Sequence, residues 1–540
     1  MRPLEVLRLY PEHDFTLSRA LDSRLGDKGD RPFLLFGDQT WTWRQFMDAV
    51  AGLTSSLATR GIGKGDRVAI VERNSDTHVL LLCALGRLRA VMVPTNPEFG
   101  ERELAYVIGH ADAKAVVASP ETIETVRTAL DTIKSTPWII RTGADGDDDY
   151  PTLTDLIASE PGDAIALSDA RPDDTLVIIY TSGTTGFPKG VMHSQKSFLL
   201  AGEAFVQRVH LTPSDRCMIL LPFYHMNALF YSLAGTIAAG ASMVIVPKFS
   251  ASSFWDTAAD NGATQVNIIE AIGTILDARP GTEYRPDHSI RAVYGVRENV
   301  ADSFRTKFGI ENLLSGYGMT EIPGVTCSPF GMPRKPGSMG PIGSHPDPDR
   351  EWAEARVVDE HGGRVAANEV GELWVKTPIM MKGYFNDPEQ TRDAFSDGWF
   401  KTGDLVSRDE DGWYYFVSRK KDIIRRRGEN IAGAELDRVI GAHPDVFEAA
   451  AIAVPSELGE DEILVAVVLG NGKQLDAETI AAWCGERLAP SKVPRFVIFL
   501  DELPHTPTHK VAKAILREDT SLRDRAVDLQ PIRARHPANN

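Results

Sequence analysis

The first half of the chain alternates short apolar runs with stretches of helical spacing. "RVAIVE" (67–72) reads as a β-branched strand, "THVLLLCALGRLRA" (77–90) as a helix, "VMVPTNP" as strand and turn, and "ERELAYVIGHADA" as a further helix. "TLVIIY" (175–180) is a fully apolar strand, and "SQKSFLLAGEAFVQRV" has helical spacing. "MILLP", "MVIVP" and "AVYG" add buried strands. Strands that are apolar on both sides and alternate with helices predict mainly parallel sheets covered on both faces. After residue 340 the strands become shorter and more polar, with Gly-containing turns ("ARVVDEHGGRV", "GELWVKT", "GWYYFVSRKKDIIRR"), which predicts an antiparallel or barrel-like subdomain. From about residue 423 a smaller α+β unit is expected. The stretch from about 522 is polar and expected to fray.

Other properties narrow the class. At 540 residues the chain is too long for one core. Its formal net charge of -17 argues against a nucleic-acid partner. The basic run "RKKDIIRRRG" from Arg419 has an apolar Ile423–Ile424 centre and reads as a folded strand and turn. Four dispersed cysteines, at 83, 217, 327 and 484, make no CxxC pair, which fits a reducing cytoplasm. The N-terminus carries charges where a signal peptide needs an apolar core, and no membrane span is expected. "SLAGTIAAGASMVIVP" is the most apolar stretch and predicts a buried helix followed by a buried strand.

The chemistry begins at "YTSGTTGFPKG" (180–190). Glycines let a backbone approach an anion, hydroxyls and amides donate to it, and a following helix would add its positive end. Lys189 lies between Pro188 and Gly190, so the Gly-Lys-Ser/Thr of a Walker loop is absent.

This string resembles the phosphate loop of the adenylate-forming superfamily, which includes acyl-CoA synthetases, luciferases and peptide-synthetase adenylation domains. Five further strings follow in that family's order: "LPFYHMNAL" (221–229), "GYGMTE" (316–321), "KTGD" (401–404), "SRKKDIIRRRGENI" (418–431) and "PTHKVAK" (507–513). The resemblance, closest to the acyl-CoA ligase branch, implies an α/β fold. A large N-terminal domain (1–420) would hold two doubly wound sheets and a small β-barrel. A mobile α+β C-terminal domain (421–540) would turn on a hinge near 418–422.

It also implies roles. Thr181, Ser182, Gly183, Thr184, Thr185, Gly186 and Lys189 would wrap the β- and γ-phosphates of ATP. Thr320 would bond the α-phosphate and Glu321 would hold Mg²⁺. Tyr317, with Gly318 and Gly295 beside it, would stack on adenine. Asp404 and Arg419 would hold the ribose, and His225 would gate the acyl pocket. Lys510 would serve adenylation. Lys421 would be the hinge. Gly428 and Glu429 would line the path of coenzyme A, where Arg425 to Arg427 either meet its phosphates or form a solvated face. The reaction implied is carboxylate activation by ATP with pyrophosphate release, then thiolysis to an acyl-CoA. The acid would be cyclic, alicyclic or aryl. A carrier protein is the alternative acceptor, and a homodimer is one assembly.

Two departures stand out. His509 replaces the family's usual glycine. "YGVRENV" (294–300) replaces a small-residue turn against which adenine lies, so Val296, Arg297 and Glu298 would crowd the base. The corresponding alternative is a protein with weak adenylation that thioesterifies an acyl-adenylate supplied by a partner adenylating enzyme.

Overall fold

The computed structural model describes residues 1–26, 29–134, 136–143, 150–158, 169–181, 188–296, 298–426, 429–456, 460–505 and 511–529. The chain divides into two compact units, residues 1–355 with 375–400, and residues 356–374 with 401–540.

The first unit is built on two seven-stranded sheets. One runs in the order Asn312–Leu314, Ala292–Tyr294, Gln265–Asn267, Arg216–Ile219, Ser242–Ile245, Pro32–Phe36, Gln39–Thr42 and is parallel up to its last pair. The other runs Gly383–Tyr384, Lys189–Ser194, Thr175–Thr181, Val91–Thr95, Arg67–Val71, Ala113–Ala118, Trp138–Arg141. Its strands are parallel except Lys189–Ser194, which pairs antiparallel with both of its neighbours. The helix at 76–88 explains why its sequence is apolar all round: every residue from Thr77 to Gly86 is buried. The most apolar stretch forms helix Ala234–Ala239, ends on Gly240 at φ 59°, and continues into strand Ser242–Ile245. The segment before it, Asn227–Leu233, is a π-helix rather than an ordinary turn. Among the described residues no helix is long and apolar enough to cross a membrane. The four cysteines are free and buried.

The second unit carries antiparallel strands that pair Asp404 with Arg419 and Arg408 with Tyr414. A four-stranded sheet follows, Val446–Pro455, Asp461–Leu469, Phe496–Phe499 and Val527–Asp528. Strand Asp461–Leu469 is apolar without a break because both of its faces are covered. Ile463, Val465 and Val467 enter one core with helices Gly433–Gly441 and Ala477–Gly485, while Leu464, Ala466 and Val468 enter another with Leu516 and Leu522.

Candidate active site

The loop 182–187 falls between Thr181 and Lys189, which face each other across an antiparallel hairpin. A strand, Lys189–Ser194, therefore stands between the loop and the expected helix, which forms at Gln195–Val209. The reason lies in "KGVMHS", where Val191 and His193 are buried on alternate positions and the strand extends a sheet edge. Ser182, Gly183, Thr184, Thr185 and Gly186 lie outside the described residues. So do Arg297, Arg427, Gly428, His509 and Lys510.

"GYGMTE" forms one arm and the turn of a second hairpin, Gly316–Met319 against Ile322–Cys327. Tyr317 is half-buried, and its N–H donates to Thr326 Oγ1 at 3.2 Å. Two residues that the motifs did not reveal hold this turn. His193 Nε2 lies 2.7 Å from the carbonyl oxygen of Thr320. Burial drives the His193 pKa down to about 4, with the Thr320 bond opposing, so the ring is neutral near pH 7 and Nε2–H is the donor. Tyr384 donates its hydroxyl to Glu321 Oε1 at 2.9 Å. The Lys189 ammonium lies 5.4 Å from the centre of the Tyr384 ring. The phosphate-loop lysine and the carboxylate expected to hold a metal thus share one tyrosine. A small cleft of about 190 Å³ beside them is lined by Tyr106, His110, Lys189, Tyr384 and Asp387 among others.

His193 and Tyr384 carried a faint signal. Each sits in a strand beside a motif ("GVMHS", "GYF"), but nothing in the spacing tells which carbonyl or carboxylate they meet. His225 follows the turn closed by its own N–H to the Pro222 carbonyl at 3.0 Å, and its ring meets Tyr224 edge-on with centroids 4.5 Å apart.

Of the three side chains expected to crowd the base, Val296 and Glu298 are described. Gly295 has φ +100°, and an added Cβ would collide with the Ile268 carbonyl, so glycine is required there. Val296 is fully buried in the main core. Glu298 is exposed and accepts from the Gly337 N–H at 2.6 Å. Neither side chain is free to occupy a neighbouring base site.

In the second unit, Asp404 is buried with Arg419 Nε 3.3 Å from Oδ1. The Gly403 N–H donates to Glu372, which also pairs with Lys420 at 3.1 Å. Lys421 stands in the short 3-10 turn Lys420–Asp422. Its pKa is lowered, first by burial and then by Arg419. Strand Ile423–Arg426 pairs with Glu429–Ala432, so the basic run is a folded strand and turn. The alternation of that strand separates its arginines. Arg425 is exposed. Arg426 is buried against Glu462 and donates to the carbonyls of Ser491 and Val493 at 2.7 and 2.8 Å. Of the three arginines expected to share one role, Arg426 is committed to the core of this unit.

Among the described residues no cluster of three acidic, His or Cys side chains could hold a metal alone. Glu321 is a single hard oxygen donor, which suits a Mg²⁺ ion that takes its other ligands from phosphate and water.

The Lys189 hairpin, the Thr320–Glu321 turn and the buried Asp404–Arg419 pair are features expected of an enzyme of the adenylate-forming class. The family described as AMP-binding enzyme matches residues 21–385, and its C-terminal domain matches 435–510. The chain belongs to this family, in its acyl-CoA ligase branch. It is 33% identical over 515 residues to the sulfoacetate–CoA ligase of Cupriavidus necator, covering 94% of this chain and 98% of that one. It is 32% identical over 494 residues to the long-chain-fatty-acid–CoA ligase FadD13 of Mycobacterium tuberculosis, covering 90% and 94%. The ATP-bound crystal structure of MatB from Rhodopseudomonas palustris superposes with a TM-score of 0.82 at 30% identity, covering 94% of this chain and 99% of MatB.

Proposed function

We propose that the protein joins an organic carboxylic acid to coenzyme A through an acyl-adenylate, converting ATP to AMP and pyrophosphate. The observation that carries this reading is the coupling of Lys189, Tyr384 and Glu321, with Thr320 fixed beside them by His193. Two anions must meet in adenylation, and preorganised cations and donors offset their repulsion. Thr181, Lys189 and the loop between them bind the β- and γ-phosphates, and Thr320 bonds the α-phosphate. Glu321 would hold Mg²⁺, which supplies charge neutralisation at the phosphates when bound. Tyr317, Gly318 and Gly295 border the adenine, and Asp404 with Arg419 takes the ribose. His225 closes the acyl pocket, and Lys510 stabilises the charge that builds as carboxylate attacks phosphorus.

The C-terminal part then turns about Lys421 and presents the Gly428–Glu429 side to coenzyme A. The buried Val296 and the outward Glu298 support a retained adenylation step over the alternative that depends on a supplied adenylate. The named relatives act on acids as unlike as sulfoacetate and long-chain fatty acids, so their substrates do not transfer. For the acid itself there are two readings. The His-Met-Asn segment favours a cyclic, alicyclic or aryl acid, whereas the surroundings of Arg208 favour the class argued below.

The test is a panel of acids, each scored separately for carboxylate-dependent ATP–pyrophosphate exchange and for acyl-CoA formation. Both should respond to the same acids. Exchange with no acyl-CoA would move the acceptor to a carrier protein. Acyl-CoA formed from synthetic acyl-adenylate without exchange would restore the partner-supplied alternative. Neither with any acid would overturn the proposal.

A further inference from the structure

Arg208, in the last turn of helix Gln195–Val209, is 4% exposed. Its Nη2 donates to the Gly324 carbonyl and the Tyr231 hydroxyl lies close to the guanidinium, but Nε and Nη1 make no well-aligned hydrogen bond among the described residues. No carboxylate pairs with it there. A buried cation in this state is costly unless something compensates it.

Arg24 shows what a purely structural guanidinium does in the same unit. It too is buried and lies over a tyrosine ring, 4.6 Å from the centre of Tyr10. All three of its nitrogens are bonded, to the carbonyls of Ile237 and Ala238 and the hydroxyl of Ser23. Arg141 also leaves two nitrogens unbonded, but it lies on the edge strand at the far end of its sheet from the phosphate-loop hairpin.

The surroundings of Arg208 come from three segments already placed in the site. The Tyr231 ring, on the π-helix that follows His225, lies 5.2 Å from the guanidinium carbon. Tyr294, next to Gly295, packs against Tyr231 with centroids 5.5 Å apart. Gly316, Gly318 and Gly324 of the "GYGMTE" hairpin supply the floor. A Cβ at Gly318 would stand 2.7 Å from the Tyr231 hydroxyl, one at Gly316 2.5 Å from that of Tyr294, and one at Gly324 would displace the guanidinium. The neighbouring wall is polar too. Gln265 bonds Asn267 and Asn267 bonds Asn227 of the π-helix, at 2.6 and 2.7 Å, which leaves Gln265 Oε1 buried and unbonded. An alkyl chain or unsubstituted ring could pack on the tyrosine faces but would leave the guanidinium and Gln265 Oε1 uncompensated.

The geometry points to Arg208 as the residue that selects the acid, by binding a second anionic group, carboxylate or sulfonate, at the end of the substrate remote from the reacting carboxylate. This rests on the acid–CoA ligase reading above. Gly324, which accepts from Arg208, lies three residues from Glu321, a span of at most about 10 Å, and this closeness to the proposed adenylation site favours a short acid. Nε and Nη1 are closed from solvent in this arrangement. Entry therefore moves the tyrosine that covers them, and a π-helix, with its poorer bonding, is a segment suited to move.

The test compares matched acids, succinate and 3-sulfopropionate against butyrate and monomethyl succinate. It measures kcat/KM for acyl-CoA formation and, independently of turnover, ligand-induced thermal stabilisation in the presence of Mg-ATP. The wild type should favour the doubly charged acids by at least about thirty-fold, the range for a desolvated charge pair. Arg208→Met should collapse that ratio, and Arg208→Lys should retain part of it. Stabilisation by Mg-ATP alone reports whether each variant is folded. If Arg208→Met does not fold, the wild-type ratio and Arg208→Lys decide the matter. A wild type that prefers the singly charged acids, or a ratio unchanged in Arg208→Met, overturns the inference and leaves the ligase reading intact. Selective stabilisation by the diacids, lost in Arg208→Met, with no acyl-CoA from any acid, supports the inference and removes the ligase reading.

Discussion

His193 gives the most direct test of how the site is held. Its imidazole is buried, with a folded pKa of about 4 against 6.5 for the free side chain. A base whose folded pKa is depressed binds fewer protons folded than unfolded between those values. Stability is therefore fully present above pH 6.5 and is lost as pH falls toward 4. Between pH 7 and pH 5 this amounts to about 2 kcal/mol from His193 alone. His78, held near 3 by burial, loses a similar amount over the same interval. Its neighbour Glu72, raised by burial to about 7, acts with the opposite sign. A folded pKa above the unfolded one adds stability as pH falls, by about 2 kcal/mol here, and cancels the His78 contribution. Those two contributions offset each other, and comparison with a His193 variant removes what other groups, such as the depressed His110, contribute to both proteins. His193→Gln keeps an N–H to offer the Thr320 carbonyl but cannot titrate. Urea unfolding of the wild type and the variant at pH 7 and pH 5 reads the difference. The wild type should lose about 2 kcal/mol more than the variant. Equal losses would refute the buried, neutral donor.

Tyr384→Phe removes a hydrogen bond to a charged group, worth about 1.5–3 kcal/mol. It should raise the Mg²⁺ concentration needed for half-maximal pyrophosphate exchange about ten-fold or more, while coenzyme A transfer from synthetic acyl-adenylate changes little. Asp404→Asn leaves Arg419 without its ion partner and the ribose without a carboxylate acceptor. The KM for ATP should rise at least about ten-fold while the KM for the acid holds, and a rise in both would point to misfolding. Gly295→Ala places a Cβ onto the Ile268 carbonyl at a φ that only glycine adopts readily. It should cost at least about 1–3 kcal/mol by denaturant unfolding, and a neutral result would contradict the geometry of this turn.

Legibility in the sequence followed chemistry that is local in the chain. Runs such as Val68–Val71 or Ile463–Val468 are apolar because both faces of their strands are covered, and that pattern is visible without a structure. Six ordered strings marked the segments expected for phosphate, acyl gate, nucleotide, ribose, hinge and lysine, because binding a triphosphate needs glycines, hydroxyls and charges at short spacing. The helix expected after the phosphate loop is present at Gln195–Val209, but a strand that the sequence did not announce stands between them. "KGVMHS" carries too short a period-2 signal to stand out beside the long helical run that follows it, yet the open edge of a parallel sheet gave it a pairing partner.

Long-range contacts decided the rest. Arg425 and Arg426 are indistinguishable in a basic run, and only strand alternation sends one to solvent and the other to Glu462. Val296 looked obstructive until the core took it up. Arg208 lay unremarked in an amphipathic helix, because nothing in a linear pattern shows that a guanidinium will arrive among Gly324, Tyr231 and Tyr294 with two nitrogens lacking a well-aligned hydrogen bond. The sequence by itself determined the family and the layered α/β sheets, since those depend on residue type and spacing. Which polar group meets which was settled only by tertiary structure, because a buried charge takes its partners from other segments of the chain.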